Sequence, residues 1–308
     1  MKKQAEKQKK FLTMKRREAL LFWILILPFL ILFIGIKLVP LAEGLYLSFT
    51  NYTGYNYDRL SWAALRNYKE VLADKKAMSA LKQTFVIGFI TVPISMIIGL
   101  GSAVLLNRAK KGLGVFRTII YIPAIIPAAT AGLIWKGIFS TDTGVLNYLL
   151  NLLGFHKINW LGYDYIFLSL IIMMTWSSTG TLLTNLAALQ RVPETLYEAA
   201  QLDGAGSLKQ FTKITLPMIS PILFFNLIMG IIGSLQLYGQ PVLLTSGTGG
   251  VLSVPLKPVY TYMVHAYQQL LAYGRFGYGL AMIWVLVILI NLLTFLFMKT
   301  QKYWVFYD

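Results

Sequence analysis

No cysteine occurs in the 308 residues, so neither a disulfide framework nor a thiolate metal site can form. Histidine is almost as scarce. His156 and His265 stand far apart in the sequence, too few and too isolated for a His-based metal cluster. No Gly-x-x-x-x-Gly-Lys-Ser/Thr run is present, so the chain has no loop of that kind to cradle ATP phosphates. His-Glu-x-x-His and Gly-x-Ser-x-Gly are missing too, which removes the zinc-peptidase and serine-hydrolase arrangements. The fragment Gly112-Leu-Gly114 lacks the third glycine and the preceding strand of a dinucleotide-binding turn. These absences predict a chain that is not itself an enzyme and holds no metal or cofactor of its own. Charge is also sparse, at 13% of residues against about 25% in soluble domains.

What is present is apolar. Hydrophobic residues make up 56% of the chain and the mean hydropathy is +0.62. The charges are clumped, and the runs between them reach the length of about 20 residues that a bilayer core requires. Six spans are predicted: Ala19 to Val39, Gln83 to Leu106, Thr118 to Phe139, Tyr165 to Leu189, Ile214 to Gly239 and Gly277 to Met298. Backbone amides in lipid must bond within their own segment, so the spans are helices. The alternating ten-residue strands of a barrel are absent. The expected fold is all-α and polytopic, with one membrane domain (residues 19–299) between a basic segment (1–18) and a short tail (300–308). No carboxylate sits at mid-depth in any span, which weighs against proton or sodium coupling.

The net charge of +16 has no basic face outside the loops, so nucleic acid is not a predicted partner. Basic loops instead set membrane orientation. Lys2, Lys3, Lys7, Lys9, Lys10, Lys15, Arg16 and Arg17 precede the first span. Arg108, Lys110, Lys111 and Arg117 follow the second, and Lys299 and Lys302 follow the sixth. An even number of spans puts all three segments on one side, and both termini are predicted cytoplasmic. The loop with Arg59, Arg66, Lys69, Lys75, Lys76 and Lys82 opposes this, but the N-terminal cluster is taken to dominate. The first apolar run is too long for a signal peptide and no small-residue cleavage site follows it, so it reads as a retained helix. Lys37 and Lys136 lie where their ammonium groups can snorkel to the interface. The tyrosine-rich stretch Val259 to Gly274 is expected to lie on the membrane or cover the pore entrance.

Between the fourth and fifth spans lies the loop 191–213. Pro193 suits the first position of a helix, Glu194 its first turn and Gly204 a left-handed stop. That predicts a helix from Pro193 to Asp203. Ser207 and Gln210 have the spacing of a capping box for a second helix, and Pro217 and Pro221 mark the start of span five. The small residues Ala199, Ala200, Gly204 and Ala205 allow another surface to approach, and Glu198 and Asp203 offer charge to a basic partner. An amphipathic connector would show much of this as well.

Two rows of polar and small residues flank this loop. Ser177, Thr181 and Asn185 recur at intervals of four in span four, with Trp176 and Ser178 beside them. Asn226, Gly230, Ser234 and Tyr238 do the same in span five, with Gln236 close by. Such rows can line a path for a neutral hydroxylated solute or hold helices together.

Glu198-Ala199-Ala200, Asp203-Gly204-Ala205, Phe211, Ile214, Leu216-Pro217 and Pro221 together resemble the EAA loop of ABC importer permeases. Pro28, Pro40, Ser48-Phe49, Asn67-Tyr68, Arg117, Pro123, Pro127, Trp135, Gly144, Asn147, Trp304-Val305 and Tyr307 resemble the carbohydrate branch of that family. The one visible departure is Gly247-Thr248-Gly249-Gly250-Val251, where the family often has Gly-Gly-Pro. The resemblance implies that the loop is a coupling helix docking on a separate ATPase, with Glu198 pairing with a basic residue there. It implies two ATPase subunits holding ATP and Mg, a second similar permease and an external solute-binding protein. It further implies a sugar or oligosaccharide substrate touching Ser177, Ser178, Thr181, Ser234 and the neighbourhood of Gln236. The location implied is a bacterial cytoplasmic membrane. Two alternatives stay open: an importer of another solute such as a glycerol phosphodiester, and an ATPase-independent channel or scaffold.

Overall fold

The computed structural model describes residues 2–55, 57–58, 60–108, 113–177, 180–245 and 253–306. Among these the chain is helical, with one isolated bridge between Thr50 and Trp62. α1 (Lys2–Phe33), a π turn (Ile34–Leu38) and α2 (Val39–Ser48) form a single rod. The rod's apolar part, Arg16–Ser48, has 33 residues, about 50 Å at 1.5 Å per residue. The expected span ending at Val39 is therefore too short. Pro40 would ordinarily end a helix, because it lacks an N–H and its ring crowds the carbonyl four residues back. Here the π turn widens the helix just before it, and Val39 N–H donates to Ile34 O.

The same device recurs further on. A π turn (Phe211–Thr215) joins α11 (Ser207–Gln210) to α12 (Leu216–Leu235) across Pro217, with Leu216 N–H donating to Phe211 O. The result is one rod of 29 residues, Ser207–Leu235. Pro217 and Pro221 thus do not start span five; the helix begins ten residues before Pro217, at Ser207. The expected capping box is absent. Gly206 occupies the cap position, and Gln210 Nε2 donates to Ala205 O at 2.8 Å.

The third expected span is also different. It is α5 (Leu113–Ile125) followed by α6 (Ala128–Ile138), broken at Pro127, which caps α6 in an extended conformation. A residue before proline is pushed out of helical geometry, which ends α5 at Ile125. Among the described residues four helices are long and apolar enough to cross a bilayer: Arg16–Ser48, Lys75–Asn107, Ser207–Leu235 and Phe276–Tyr303. A fifth candidate is the pair α8 (Ile166–Ser177) and α9 (Gly180–Leu189), bent by 42°. The spans at Lys75 and Phe276 are carried by α4 (Lys75–Arg108) and α15 (Phe276–Thr300), and shorter α-helices are α3 (Arg66–Ala73), α7 (Val145–Leu152), α10 (Glu194–Leu202), α13 (Gly239–Thr245) and α14 (Tyr262–Tyr267).

α4 packs along both α9 and α12. A Cβ on Gly99 would stand 2.1 Å from Thr181 Oγ1, and one on Gly88 would stand 2.6 Å from Ser234 Oγ. Small residues therefore set the close approach of these helices, as in other membrane bundles. At one end Ala103, Leu182, Leu186, Leu189, Val192 and Ile219 form an apolar cluster. At the other, Val71, Tyr262, Tyr278, Met282 and Leu286 form a second. The tail folds back on α12: Phe306 N–H donates to Ser220 Oγ at 2.9 Å, and Trp304 packs edge-on against Phe224.

The tyrosine-rich segment is pinned rather than loose. Thr261 Oγ1 donates to Leu237 O at 2.6 Å and Tyr262 N–H donates to Thr84 Oγ1 at 2.8 Å. Its buried His265 sits between Tyr260 Oη, 2.7 Å from Nδ1, and Asp74 Oδ2, 3.3 Å from Nε2. Asp74 also accepts from Tyr278 Oη at 2.7 Å and from the amides of Lys76 and Ala77. Burial pushes the His265 pKa below its ordinary 6.5, although Asp74 pulls the other way. Burial opposes the Asp74 carboxylate, but its hydrogen bonds, with that from Tyr278 the largest, outweigh this and lower its pKa. The unfolded chain therefore takes up protons first as pH falls. Stability should hold above about pH 6.5, the free value of histidine, and decline below it. Unfolding temperature of the detergent-solubilised protein against pH checks this, and His265→Gln should flatten the first part of the decline.

Candidate functional site

A cavity of about 580 Å³ opens among α4, α9, α12 and the turn after α12. Thr181, Ser234, Gln236 and Tyr238 all line it, as do Asn226 and Gly230. The row at 226, 230, 234 and 238 thus meets one space, although α12 ends at Leu235 and Tyr238 lies beyond it. Asn185 does not reach the cavity wall. It is 1% exposed and accepts from Asn226 Nδ2 at 2.9 Å, while Thr184 Oγ1 lies 3.2 Å from Asn226 Oδ1. Its role here is to clamp α9 to α12, the alternative that polar rows always carry. Trp176 also stands apart, edge-on to Trp135 with ring centroids 5.7 Å apart. Ser178 and the side chain of Ser177 lie outside the described residues.

Sequence reasoning missed the contribution of α4, from which Thr91, Val92, Ser95 and Met96 line the cavity. The four-residue spacing of Thr91 and Ser95 was the available signal. Among the described residues, none that lines the cavity carries an acidic or basic side chain. Hydroxyls, amides, methionines and one tyrosine ring can pair with and stack on a neutral polyhydroxylated solute. Tyr238 is backed by Tyr267 of α14, with ring centroids 4.4 Å apart.

The second element is α10 and its turn. Pro193 caps α10 in an extended conformation and Glu194 occupies its first turn. Gly204 has φ +71°, the left-handed geometry predicted for it. Ala205 N–H donates to Ala200 O at 2.8 Å and Gly204 N–H to Gln201 O at 3.0 Å, the bond pair of a Schellman stop. No residue of α10 is buried. Glu198, Ala199 and Asp203 are exposed, Ala200 and Ala205 half-buried. Neither acid forms an ion pair among the described residues. Leu202 is 91% and Leu208 75% exposed, an apolar rim on a face that nothing among the described residues covers. A side-chain bond ties the helix to the bundle: Tyr197 Oη and Thr215 Oγ1 lie 2.8 Å apart. Thr215 belongs to the rod that carries Asn226, Gly230 and Ser234, so α10 is connected mechanically to the cavity wall.

A multi-pass helical membrane protein with an uncharged central cavity, and an exposed helix joined to the cavity wall, has the architecture of a transport component. The chain belongs to the family described as the binding-protein-dependent transport system inner membrane component, which matches residues 91–302. It is 36% identical over 297 residues to the probable ABC transporter permease protein YesP of Bacillus subtilis, covering 95% of this chain and 94% of that one. It is 30% identical to the trehalose/maltose transport system permease protein MalF of Thermococcus litoralis, covering 94% and 96%. Among solved structures, the fold matches a chain of the bacterial alginate ABC transporter in complex with an alginate pentasaccharide-bound periplasmic protein. That match has TM-score 0.79 at 20% identity and covers 93% of this chain and 95% of the other.

Proposed function

We infer that this chain is one permease subunit of an ABC importer that moves a sugar or oligosaccharide across a bacterial cytoplasmic membrane. The observation that carries the reading is the rod Ser207–Leu235, which lines the uncharged cavity and is tied to the exposed helix α10. The names of its relatives support a saccharide as cargo. A phosphodiester would call for arginine or lysine at the cavity wall, and none lines it among the described residues.

In this reading the chain crosses the membrane six times. The α5–α6 pair makes the third crossing and the α8–α9 pair the fourth, with both termini and α10 in the cytosol. A second, similar permease closes the path, two ATPase subunits hold ATP and Mg, and an external binding protein delivers the solute. Glu198, Ala199, Ala200, Asp203, Gly204 and Ala205 dock into a cleft of one ATPase. When the two ATPases close on ATP, α10 moves as a body. Tyr197 and the continuous rod carry that motion to Ser234 and Tyr238, switching the access of the path.

The test is reconstitution of the co-expressed importer in proteoliposomes, with uptake of a radiolabelled oligosaccharide library read with and without internal ATP. Uptake should require both ATP and the external binding protein. ATP-independent flux, or purification of the chain with no nucleotide-binding subunit attached, would overturn the reading in favour of a channel or scaffold.

A further inference from the structure

The hairpin between α6 and α8 carries an amphipathic helix that faces the wrong way for a soluble loop. On α7 the residues Val145, Tyr148, Leu149 and Leu152 recur at the spacing of a single helical face. They are 56%, 64%, 48% and 65% exposed, and Leu153 and Phe155 continue the patch at 73% and 62%. The inward side is held by a polar residue instead. Asn147 is 1% exposed. Its Nδ2 donates to Thr141 O at 3.0 Å and Ile158 O at 2.8 Å, and its Oδ1 accepts from Ile158 N–H at 3.0 Å and Trp160 Nε1 at 3.1 Å.

These bonds fix where the helix can be. Gly144 N–H donates to Ser140 O at 3.0 Å, so α7 starts within tight turns of the end of α6. Ile158 and Trp160 lead directly into α8, and Ser169 Oγ of α8 donates to Trp160 O at 2.8 Å. The helix is thus held at the level where one membrane segment ends and the next begins. Its eight residues reach about 12 Å, too short to cross a bilayer.

We propose that α7 is an interfacial anchor whose face Val145, Tyr148, Leu149 and Leu152 is immersed at the headgroup–acyl boundary of the membrane. Asp142, Asn151 and the ion-paired Lys157, 3.7 Å from Asp142, form its aqueous flank. Lipid suits this face better than a soluble docking partner. A partner that binds and leaves would expose the patch to water between visits, which soluble surfaces avoid. Interfaces of that transient kind are also no more apolar than ordinary surface. The inference rests on the reading that the α5–α6 and α8–α9 pairs are crossings and does not depend on the nature of the cargo.

This chain has no native cysteine, so an introduced cysteine is its single thiol and can be labelled before the importer is assembled. Tyr148→Cys, Leu152→Cys and, as the aqueous control, Asn151→Cys would each carry an environment-sensitive fluorophore in the assembled importer. The importer would be reconstituted in phosphatidylcholine vesicles with nitroxide at the headgroup or on the acyl chain. Probes at 148 and 152 should emit to the blue and be quenched severalfold more by shallow nitroxide lipid than the probe at 151, with the reverse order for aqueous iodide. Equal iodide quenching at 151 and 152 would overturn the proposal by placing the face in water. Protection of 148 and 152 from both quenchers would overturn it by showing that protein covers them.

Discussion

Glu198→Lys should abolish ATP-driven uptake while leaving the chain inserted and folded. The side chain is exposed and forms no ion pair among the described residues, so the substitution removes nothing that holds this subunit together. In the assembled importer the carboxylate would be desolvated against a basic residue of the ATPase. Losing one side of such a pair costs about 2–5 kcal/mol, roughly a 30-fold to several-thousand-fold weaker docking. Gly204 tests the geometry of the same contact. Its φ of +71° costs an L-residue with a Cβ roughly 1–2 kcal/mol, with Asn among the few exceptions. Gly204→Val should therefore loosen the stop after α10, misaim the docking face and lower uptake by roughly 5- to 30-fold, the equivalent of that strain. Gly204→Asn should stay near the parent rate. Space is not the issue, because a Cβ there would meet nothing within 4 Å. The measurements are uptake in proteoliposomes, membrane content by immunoblot and ATPase subunits retained on purification. Full uptake by Glu198→Lys, or equal loss in Gly204→Val and Gly204→Asn, would sink the docking role.

The parts of this protein that were readable from sequence are those governed by local backbone rules. Gly204 as a left-handed stop depends on single-residue conformational preference and is found in place, whereas Pro193, expected at the first helical position, lies one residue earlier as an extended cap and α10 starts at Glu194. The effect of the other prolines depends on the turn around them, which spacing alone does not show. Pro127 breaks its helix, whereas Pro40 and Pro217 are bridged by π turns that relieve the clash. The tertiary parts were not readable. Asn185 and Thr181 belong to one row with one spacing, but Asn185 meets Asn226 across the helix pair while Thr181 faces the cavity. Thr91 and Ser95 sit in a run of ordinary lipid-compatible residues, and only the packing of α4 between α9 and α12 turns them inward. Helical periodicity fixes which residues share a face; it does not say whether that face meets a cavity or another helix.

Filling the cavity should stop transport without harming the fold. Gly233 lines the space, and a Cβ built on it meets no atom within 4 Å. Gly180 is alike in both respects. Gly233 lies in the last turn of α12, and replacing a helical glycine removes at most a backbone-entropy cost of about 0.5–1 kcal/mol, so Gly233→Trp need not weaken the helix. Its indole would project into the space that Ser234, Gln236 and Tyr238 share. Uptake should fall at least tenfold, equivalent to about 1.4 kcal/mol at the rate-limiting state, with basal ATP hydrolysis by the assembled importer unchanged. Gly137→Trp is the matched control, since a Cβ there also meets nothing within 4 Å but the residue does not line the cavity. Gly233→Ala separates size from backbone effects and should transport normally. Because α12 is continuous with the segment at Ser207, a blocked cavity and a broken contact at Glu198 would both end uptake, but by different signatures. The first keeps the ATPase bound and cycling; the second releases it. If Gly233→Trp transported like Gly137→Trp, the solute would travel elsewhere and the rod would have no path to gate.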